Sequence, residues 1–211
     1  MTNEEKSNSG ESVAVIGAGI VGLAVAWFAA RSGRKVTIFE RRPRTEEATI
    51  RNFGMIWPIG QPFGPPYALA RRSRDLWIEL AREAKFWFAE CGSIHLAHRE
   101  DEWRVLNEFR DLAIGHGVEC DLLSARETIA RMPGANPAGL LGGLWSPTEL
   151  AVDPRRVPAR FAAYLSARFD VQFRWNAPVV AIEDRTVRTA SGEQGRFDRI
   201  AVSYTHLRAH E

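Results

Sequence analysis

The stretch that decides the fold is Val13-Ala-Val-Ile-Gly17-Ala-Gly19-Ile-Val-Gly22. Four apolar, β-prone residues lead into three glycines spaced as G-x-G-x-x-G, and small apolar residues follow. Each glycine has its own physical reason. Gly17 lets the chain turn tightly off a strand, Gly19 lets a phosphate approach the backbone, and Gly22 lets the next helix pack close to the sheet. The stretch predicts a strand, a phosphate-binding turn and a helix.

The sequence around these glycines supports a nucleotide site. The N–H groups of the first helical turn, at Ile20 and Val21, are expected to face the phosphates, helped by the helix dipole. Lys35-Val-Thr-Ile-Phe-Glu40 is typical of a second strand that ends in an acid. An acid at this distance from the glycines can accept hydrogen bonds from both ribose hydroxyls of an adenosine. Gly33 lies between helix and strand, where a helix C-cap is expected.

These residues leave the type of cofactor open, because NAD and FAD share the ADP half that they recognise. Glu40 disfavours a 2′-phosphorylated cofactor by charge repulsion, although Arg41 and Arg42 weaken that argument. Three interpretations remain at this point: a flavoenzyme, an NAD-dependent dehydrogenase, and a nucleotide-binding module without catalysis.

Composition excludes several other classes of protein. The chain has 211 residues, 45% of them hydrophobic, and a formal net charge of +2. That length allows one domain or a domain and a half, and the charge is too small to indicate nucleic-acid binding. Cys91 and Cys120 are isolated, so neither a disulfide framework nor a metal site is expected, and a reducing compartment is indicated.

Residues 13–30 are apolar over a length that could span a membrane. The acidic leader before them and the nucleotide spacing of the glycines argue against a signal peptide or an anchor. We therefore expect a cytoplasmic protein without a membrane or nucleic-acid partner, and the sequence leaves its oligomeric state open.

Beyond the second strand, the pattern predicts alternating elements. Residues 67–90 read as one helix, and a helix from Asp153 to Phe169 places Pro154 in its first turn. Strands are expected at residues 179–183, 186–190 and 197–202. Residues 41–66 are rich in glycine and proline yet carry much apolar area, which favours backbone wrapping over a flat ligand.

Four segments together resemble the D-amino-acid oxidase superfamily of flavoenzymes, which includes glycine, sarcosine and D-amino-acid oxidases. They are the glycine motif with Glu40, residues 48–55, residues 142–155, and residues 179–183. In this family the second segment passes the flavin, and the backbone of the first valine of the fourth holds the adenine. The resemblance therefore implies FAD as cofactor. The cofactor-binding residues that the motif and the resemblance give are Gly17, Gly19, Ile20, Val21, Gly22, Glu40, Arg41, Thr49, Arg51, Asn52, Gly54, Met55 and Val179.

The resemblance also implies a fold class and a domain plan. The expected fold is α/β, with a Rossmann-like FAD-binding fold, a parallel sheet and part of an α+β substrate domain, truncated. Residues 1–10 would be a disordered leader. The FAD-binding part would comprise residues 11–90 and 146–202, and residues 91–145 would begin the substrate domain.

The function implied by the resemblance is oxidation of a C–N bond in a small amine or amino acid. Hydride passes from the substrate to flavin N5, and the imine product then hydrolyses. No side chain demands a catalytic role; Arg51 is the best candidate for an anion contact, and a plain surface arginine is the alternative. Residues 51–62 resemble a branch associated with phosphonate catabolism, which suggests an aminoethylphosphonate or its N-methyl form as substrate.

The end of the chain departs from the family. Residues 203–211 are polar and contain no glycine, whereas the family continues this strand into a glycine-containing turn. The peptide resembles translated sequencing-adapter DNA. We expect a non-native tail on an N-terminal fragment of a longer enzyme, inactive alone and holding FAD weakly.

Overall fold

The computed structural model describes residues 10–46 and 48–203, and the chain divides into two compact units. Among the described residues, the first unit contains those up to Phe53, Glu83–Phe86 and those from Asp153 onward. The second unit contains Gly54–Arg82 and Trp87–Val152. Except for Gly10 and Ser203, the predicted leader and tail lie outside the described residues, and the domain boundaries expected from the sequence stay a prediction.

The first unit is built on a parallel sheet, as the sequence predicts. Its elements are β1 (Ser12–Ile16), α1 (Ile20–Arg31), β2 (Lys35–Phe39), α2 (Ala48–Arg51), α6 (Val157–Phe169), β9 (Gln172–Arg174), β10 (Val179–Glu183), β11 (Thr186–Thr189), β12 (Gln194–Arg196) and β13 (Arg199–Val202). The parallel sheet has the order β13-β1-β2-β9. Ala14 and Val15 of the inner strand are completely buried, as expected for a strand covered on both faces.

Two turns in the first unit contain residues with positive φ. Helix α1 ends at Arg31 with Ser32 as its C-cap, and Gly33 follows with a φ of 81°, the left-handed conformation expected after a helix. Asp184 and Arg185 both have positive φ, which fits the tight turn that joins β10 to β11. Strand β12 is not predicted, because its residues are polar and lack β-branched side chains.

The second unit is an α+β arrangement with two antiparallel sheets. Its elements are β3 (Met55–Ile56), a 3-10 helix (Pro58–Gly60), α3 (Pro65–Ala84), β4 (Phe88–Ala89), β5 (Ser93–Ala97), α4 (Glu100–Gly115), β6 (Asp121–Ser124), α5 (Ala125–Arg131), β7 (Gly142–Ser146) and β8 (Leu150–Val152), with the end of α3 belonging to the first unit. The sheets have the orders β3-β8-β4 and β5-β7-β6. Helix α5 begins with a capping box, in which Ser124 Oγ accepts from the Glu127 N–H at 3.3 Å.

Two predicted helix boundaries are wrong. Helix α3 ends at Ala84 instead of continuing to residue 90, because Lys85 adopts a φ of 54° and Phe88 pairs with Val152 in a strand. Helix α6 begins at Val157, so its first-turn proline is Pro158. The segment before α6 is a turn, in which the Asp153 carboxylate accepts a hydrogen bond from the Arg155 N–H at 3.0 Å.

The stability of the first unit depends on alkaline pH through one tyrosine, Tyr164. The Tyr164 hydroxyl on α6 donates to the Glu83 carboxylate, and burial together with that carboxylate raises the pKa of Tyr164 to about 12. An unfolded tyrosine has a pKa of about 10. Its contribution to stability is therefore complete below that value and is lost as the pH rises towards 12.

We expect Tyr164→Phe to flatten this pH dependence. Urea unfolding at about pH 8 and about pH 11 checks it: the free energy of unfolding should fall more in the native chain than in the variant. Tyr67→Phe is the matched control, because Tyr67 lies in the second unit, and it should keep the native profile. An equal loss of stability in the native chain and in Tyr164→Phe would contradict the assignment.

In the part of the chain that the structure describes, no helix combines the length and the apolar character that a membrane crossing requires.

Candidate cofactor site

The glycine turn brings the N-terminus of α1 against the end of β1. Gly17 has a φ of 103°, which an L side chain rarely adopts, and its N–H donates to the Phe39 carbonyl at 2.7 Å. A Cβ on Gly22 would lie 1.9 Å from the Gly17 carbonyl oxygen, so only glycine fits there. Gly22 therefore lets helix α1 pack closer to the turn than any larger residue would allow.

An oxygen acceptor already lies on the first helical N–H group. Thr49 Oγ1 accepts from the Ile20 N–H at 3.1 Å, and a Cβ on Gly19 would lie 3.3 Å from that same oxygen. The N-cap residue Gly19 provides no side-chain acceptor of its own. A phosphate oxygen in the position of Thr49 Oγ1 would receive the same hydrogen bond, which is how helix N-termini bind anions.

Glu40 is fixed at the end of β2 by its backbone and by its side chain. Its N–H donates to the Arg174 carbonyl, and its carbonyl accepts from the Ala177 N–H, both at 2.9 Å. Its carboxylate accepts from the Ala18 N–H at 2.9 Å through one oxygen and from the Arg42 N–H at 3.0 Å through the other. A carboxylate has about four acceptor positions, so both oxygens can still accept hydrogen bonds from hydroxyl groups.

Two hydroxyl groups at this turn are missed by the sequence analysis. Thr45 Oγ1 donates to the Ala18 carbonyl at 2.6 Å. Ser203 Oγ donates to the carbonyls of Ile16 at 2.9 Å and Gly17 at 3.1 Å. The Ser203 N–H also donates to the Ile16 carbonyl at 3.0 Å and so extends the β1–β13 ladder by one bond. A lone hydroxyl residue in a polar segment gives no sequence signal for such a contact.

The remaining predicted site residues of the first unit lie further along the elements. Arg41 and Arg51 are exposed, and Val21 is 59% exposed on α1. Asn52 follows α2 and is exposed. Val179 begins β10 and packs against a core cluster that contains Ala14, Ile16 and Phe39. The residues that the structure brings to the glycine turn are Gly17, Gly19, Ile20, Gly22, Glu40 and Thr49.

The last two predicted site residues, Gly54 and Met55, belong to the second unit. Gly54 is buried with a φ of 75°, and its carbonyl accepts from the Val152 N–H at 2.8 Å. Met55 lies in β3 and is 45% exposed. Within the described residues, no group of three or more His, Cys, Asp or Glu side chains is placed to hold a metal ion.

These features define a class of protein. A parallel sheet, a glycine turn that admits only glycine at Gly22, and a fixed carboxylate at the end of the second strand make a dinucleotide-binding Rossmann-like unit. The residues fit the ADP half of such a cofactor, since the helix supplies an N–H group for phosphate and Glu40 supplies acceptors for ribose hydroxyls.

Comparison with known proteins gives the family. The model of the family described as "FAD dependent oxidoreductase" matches residues 12–204, and the chain belongs to this family. A D-amino acid dehydrogenase from Paramagnetospirillum magneticum is 25% identical over 81% of this chain. The human mitochondrial sarcosine dehydrogenase is 29% identical over 90% of it. The family membership confirms the prediction of FAD over NAD as cofactor.

Solved structures agree on the fold. The glycine oxidase from Geobacillus kaustophilus superposes with a TM-score of 0.82 over 92% of this chain, at 24% identity. The chain spans about half the length of that oxidase (55%) and of the D-amino acid dehydrogenase (54%), and 21% of the sarcosine dehydrogenase.

Proposed function

We propose that this chain holds FAD and forms part of an oxidoreductase that removes hydride from the carbon of a C–N bond in a small amine or amino acid. The observation that carries the proposal is the glycine turn, where Gly22 packs on Gly17 and the Glu40 carboxylate faces the same turn through the Ala18 N–H. The named relatives, a D-amino acid dehydrogenase and a sarcosine dehydrogenase, support the class of substrate.

Different residues in the described part of the chain would bind different parts of the cofactor. The Ile20 N–H would donate to the pyrophosphate, and the Glu40 carboxylate would accept from the ribose hydroxyls. The backbone of Val179 would contact the adenine. Bound FAD supplies the hydride acceptor. The protein orients the substrate carbon and keeps its nitrogen neutral and the site dry.

The finer proposal is an aminophosphonate substrate, either an aminoethylphosphonate or its N-methyl form. It is supported by the resemblance of residues 51–62 to the phosphonate-associated branch. It is also supported by the exposed position of Arg51 at the end of α2, where a guanidinium can contact a phosphonate or a flavin phosphate. A cytoplasmic location is proposed as well, supported by the isolated Cys91 and Cys120, with a small-molecule amine as the partner.

Titration of the purified chain tests the proposal. FAD added to the chain should show altered flavin fluorescence. ADP should compete with FAD for binding, and NAD should compete less effectively than ADP. Failure of both FAD and ADP to bind would overturn the cofactor assignment. Tighter binding of NAD than of FAD would favour a dehydrogenase instead.

Activity distinguishes the substrates. Sarcosine, D-alanine, 2-aminoethylphosphonate and its N-methyl form would be compared with an artificial electron acceptor, using the chain extended to the length of its relatives. Reduction of the electron acceptor with the phosphonates alone would support the finer proposal. Reduction of the acceptor with the amino acids alone would contradict it. Robust turnover by the 211-residue chain itself would contradict the prediction that it is inactive alone.

A further inference from the structure

Helix α1 is apolar on every side, yet one of its sides is exposed. Between Ile20 and Ala30 the helix carries no charged, hydroxyl or amide side chain. Its inner side packs on the parallel sheet, where Leu23 and Ala26 are completely buried. A helix that is apolar all round is normally buried all round. The sequence of α1 is therefore typical of a helix that protein encloses.

Three residues form the exposed side, which we call the outer face of α1. Val21, Val25 and Phe28 follow the i, i+4, i+7 spacing that places side chains on one side of a helix. Their side chains are exposed to 59%, 36% and 50%, respectively. Single exposed apolar residues are common on protein surfaces, whereas contiguous apolar patches mark interaction sites. The outer face therefore indicates a contact with a further apolar segment.

The helix beside α1 has a different surface. Helix α6 packs against α1, with the rings of Trp27 and Phe161 5.9 Å apart in an edge-to-face arrangement. The exposed side of α6 carries Arg160, Ser166 and Arg168, as expected for a helix that faces water. The two helices are neighbours in one unit, so the apolar outer face is a property of α1 and not of the whole surface of the unit.

An open sheet edge lies close to α1. Strand β13 is at one end of the order β13-β1-β2-β9, and among the described residues no strand pairs with its outer edge. A Cβ on Gly22 would lie 2.6 Å from Ser203 Oγ, so the residue after β13 is close to the helix. Val202 in β13 is 49% exposed. Because an unpaired strand edge can accept a further strand, this region has two surfaces that further polypeptide can cover.

The length of the relatives indicates what covers the outer face. The glycine oxidase contains the same fold within one polypeptide, of which this chain covers 55%. The D-amino acid dehydrogenase is covered over 54% of its length. A polypeptide of that length has a further large part, whose apolar segments can pack on α1, because burial of apolar surface drives packing within a chain.

We propose that the outer face of α1 is an internal interface of a full-length family chain, covered by an apolar segment from the part of the family fold that these 211 residues do not span. The occupant is a segment of the same polypeptide that brings aliphatic or aromatic side chains to Val25 and Phe28. The inference is independent of the cofactor, because neither of these side chains has a role in the proposed nucleotide contacts.

Thiol labelling measures the exposure of the outer face directly. Phe28→Cys would be compared in the 211-residue chain and in the chain extended to the length of its relatives, both carrying Cys91→Ser to remove the exposed native thiol. Iodoacetamide should react at least about tenfold more slowly with the longer chain, because burial blocks access to the thiol. Ala167→Cys, at an exposed position of α6, is the matched control and should react equally fast in both chains.

Substitution by glutamine measures the free energy of the same contact. Glutamine is a good helix former, so Val25→Gln combined with Phe28→Gln should leave the unfolding equilibrium constant of the shorter chain within about threefold of native. In the longer chain the double change should raise that constant by at least about 100-fold, because the buried amides lose apolar contacts and lack hydrogen-bond partners. Ala167→Gln should have a small effect in both chains. Urea unfolding gives the constants.

Two outcomes would overturn the inference. Equally fast labelling of Phe28→Cys in both chains would mean that the longer polypeptide leaves the outer face exposed to an external partner. Slow labelling already in the shorter chain, with dimers in sedimentation that the double glutamine change dissociates, would assign the face to a second copy. If the double glutamine variant of the longer chain does not fold, the labelling rates still decide the inference.

Discussion

Replacing Gly22 with valine is expected to abolish FAD binding and to lower the free energy of unfolding by about 3 kcal/mol. The atom that a side chain would meet is the Gly17 carbonyl oxygen, 1.9 Å from an ideal Cβ. Backbone atoms in a turn cannot move aside as the end of a flexible side chain can. Helix α1 would have to retreat from the turn, and the Ile20 N–H would retreat with it from the phosphate position.

The direction of the stability change expected at Gly22 distinguishes a close contact from the ordinary effect of replacing a helical glycine. In an open helix, replacing glycine with alanine is stabilising by about 1 kcal/mol. Gly115 at the end of α4 has nothing within 4 Å of an added Cβ, so Gly115→Ala is the matched control and should not destabilise the chain. Urea unfolding and FAD titration of Gly22→Ala, Gly22→Val and Gly115→Ala measure both effects. Native FAD affinity in Gly22→Val would contradict the close approach of helix and turn.

The second large effect is expected at Glu40. Glu40→Ala would remove the charged acceptor that we propose for the ribose hydroxyls, and it leaves the Ala18 and Arg42 N–H groups without their acceptor. Hydrogen bonds to charged groups contribute roughly 1.5–3 kcal/mol each. The affinity for FAD and for ADP should therefore fall by about 100-fold, and both ligands should lose affinity together because they share the ribose.

A graded series isolates the charge at Glu40. Glu40→Gln keeps one acceptor oxygen and should lose less affinity than Glu40→Ala. Glu183→Gln, at an exposed carboxylate on β10, is the control and should bind both ligands as the native chain does. The dissociation constants of FAD and ADP, measured by fluorescence and by calorimetry, check the series. A loss of FAD affinity with native ADP affinity would place Glu40 away from the adenosine.

The nucleotide half of the fold could be predicted because its determinants are local. Gly17, Gly22 and Glu40 act through backbone conformation and through an acid at a strand end, and these requirements are visible in a short stretch of sequence. The glycine after α1 was predictable for the same reason.

The parts that the sequence did not predict depend on contacts between distant residues. Phe88 continues the helical periodicity of α3, yet it pairs with Val152 in a strand, and no pattern within residues 67–90 reports on that partner. Glu149 reads as an ordinary surface acid, and only the fold surrounds it with donors from Ile59, Thr148 and Ser93. Buried polar groups of this kind become visible only when the chain is assembled.

The pairing of β13 with β1 has a consequence for biosynthesis. The Ser203 hydroxyl and its acceptor on Ile16 are 187 residues apart in sequence, so the ladder joins the start of the described chain to its end. Closing so long a loop is slow, and a growing chain emerges from the ribosome N-terminus first. The glycine turn is therefore translated well before the β13 residues that pair beside it. During that interval the edge of β1 that later pairs with β13 exposes unpaired backbone N–H and C=O groups, so early chaperone contact at this strand is the expected safeguard against aggregation.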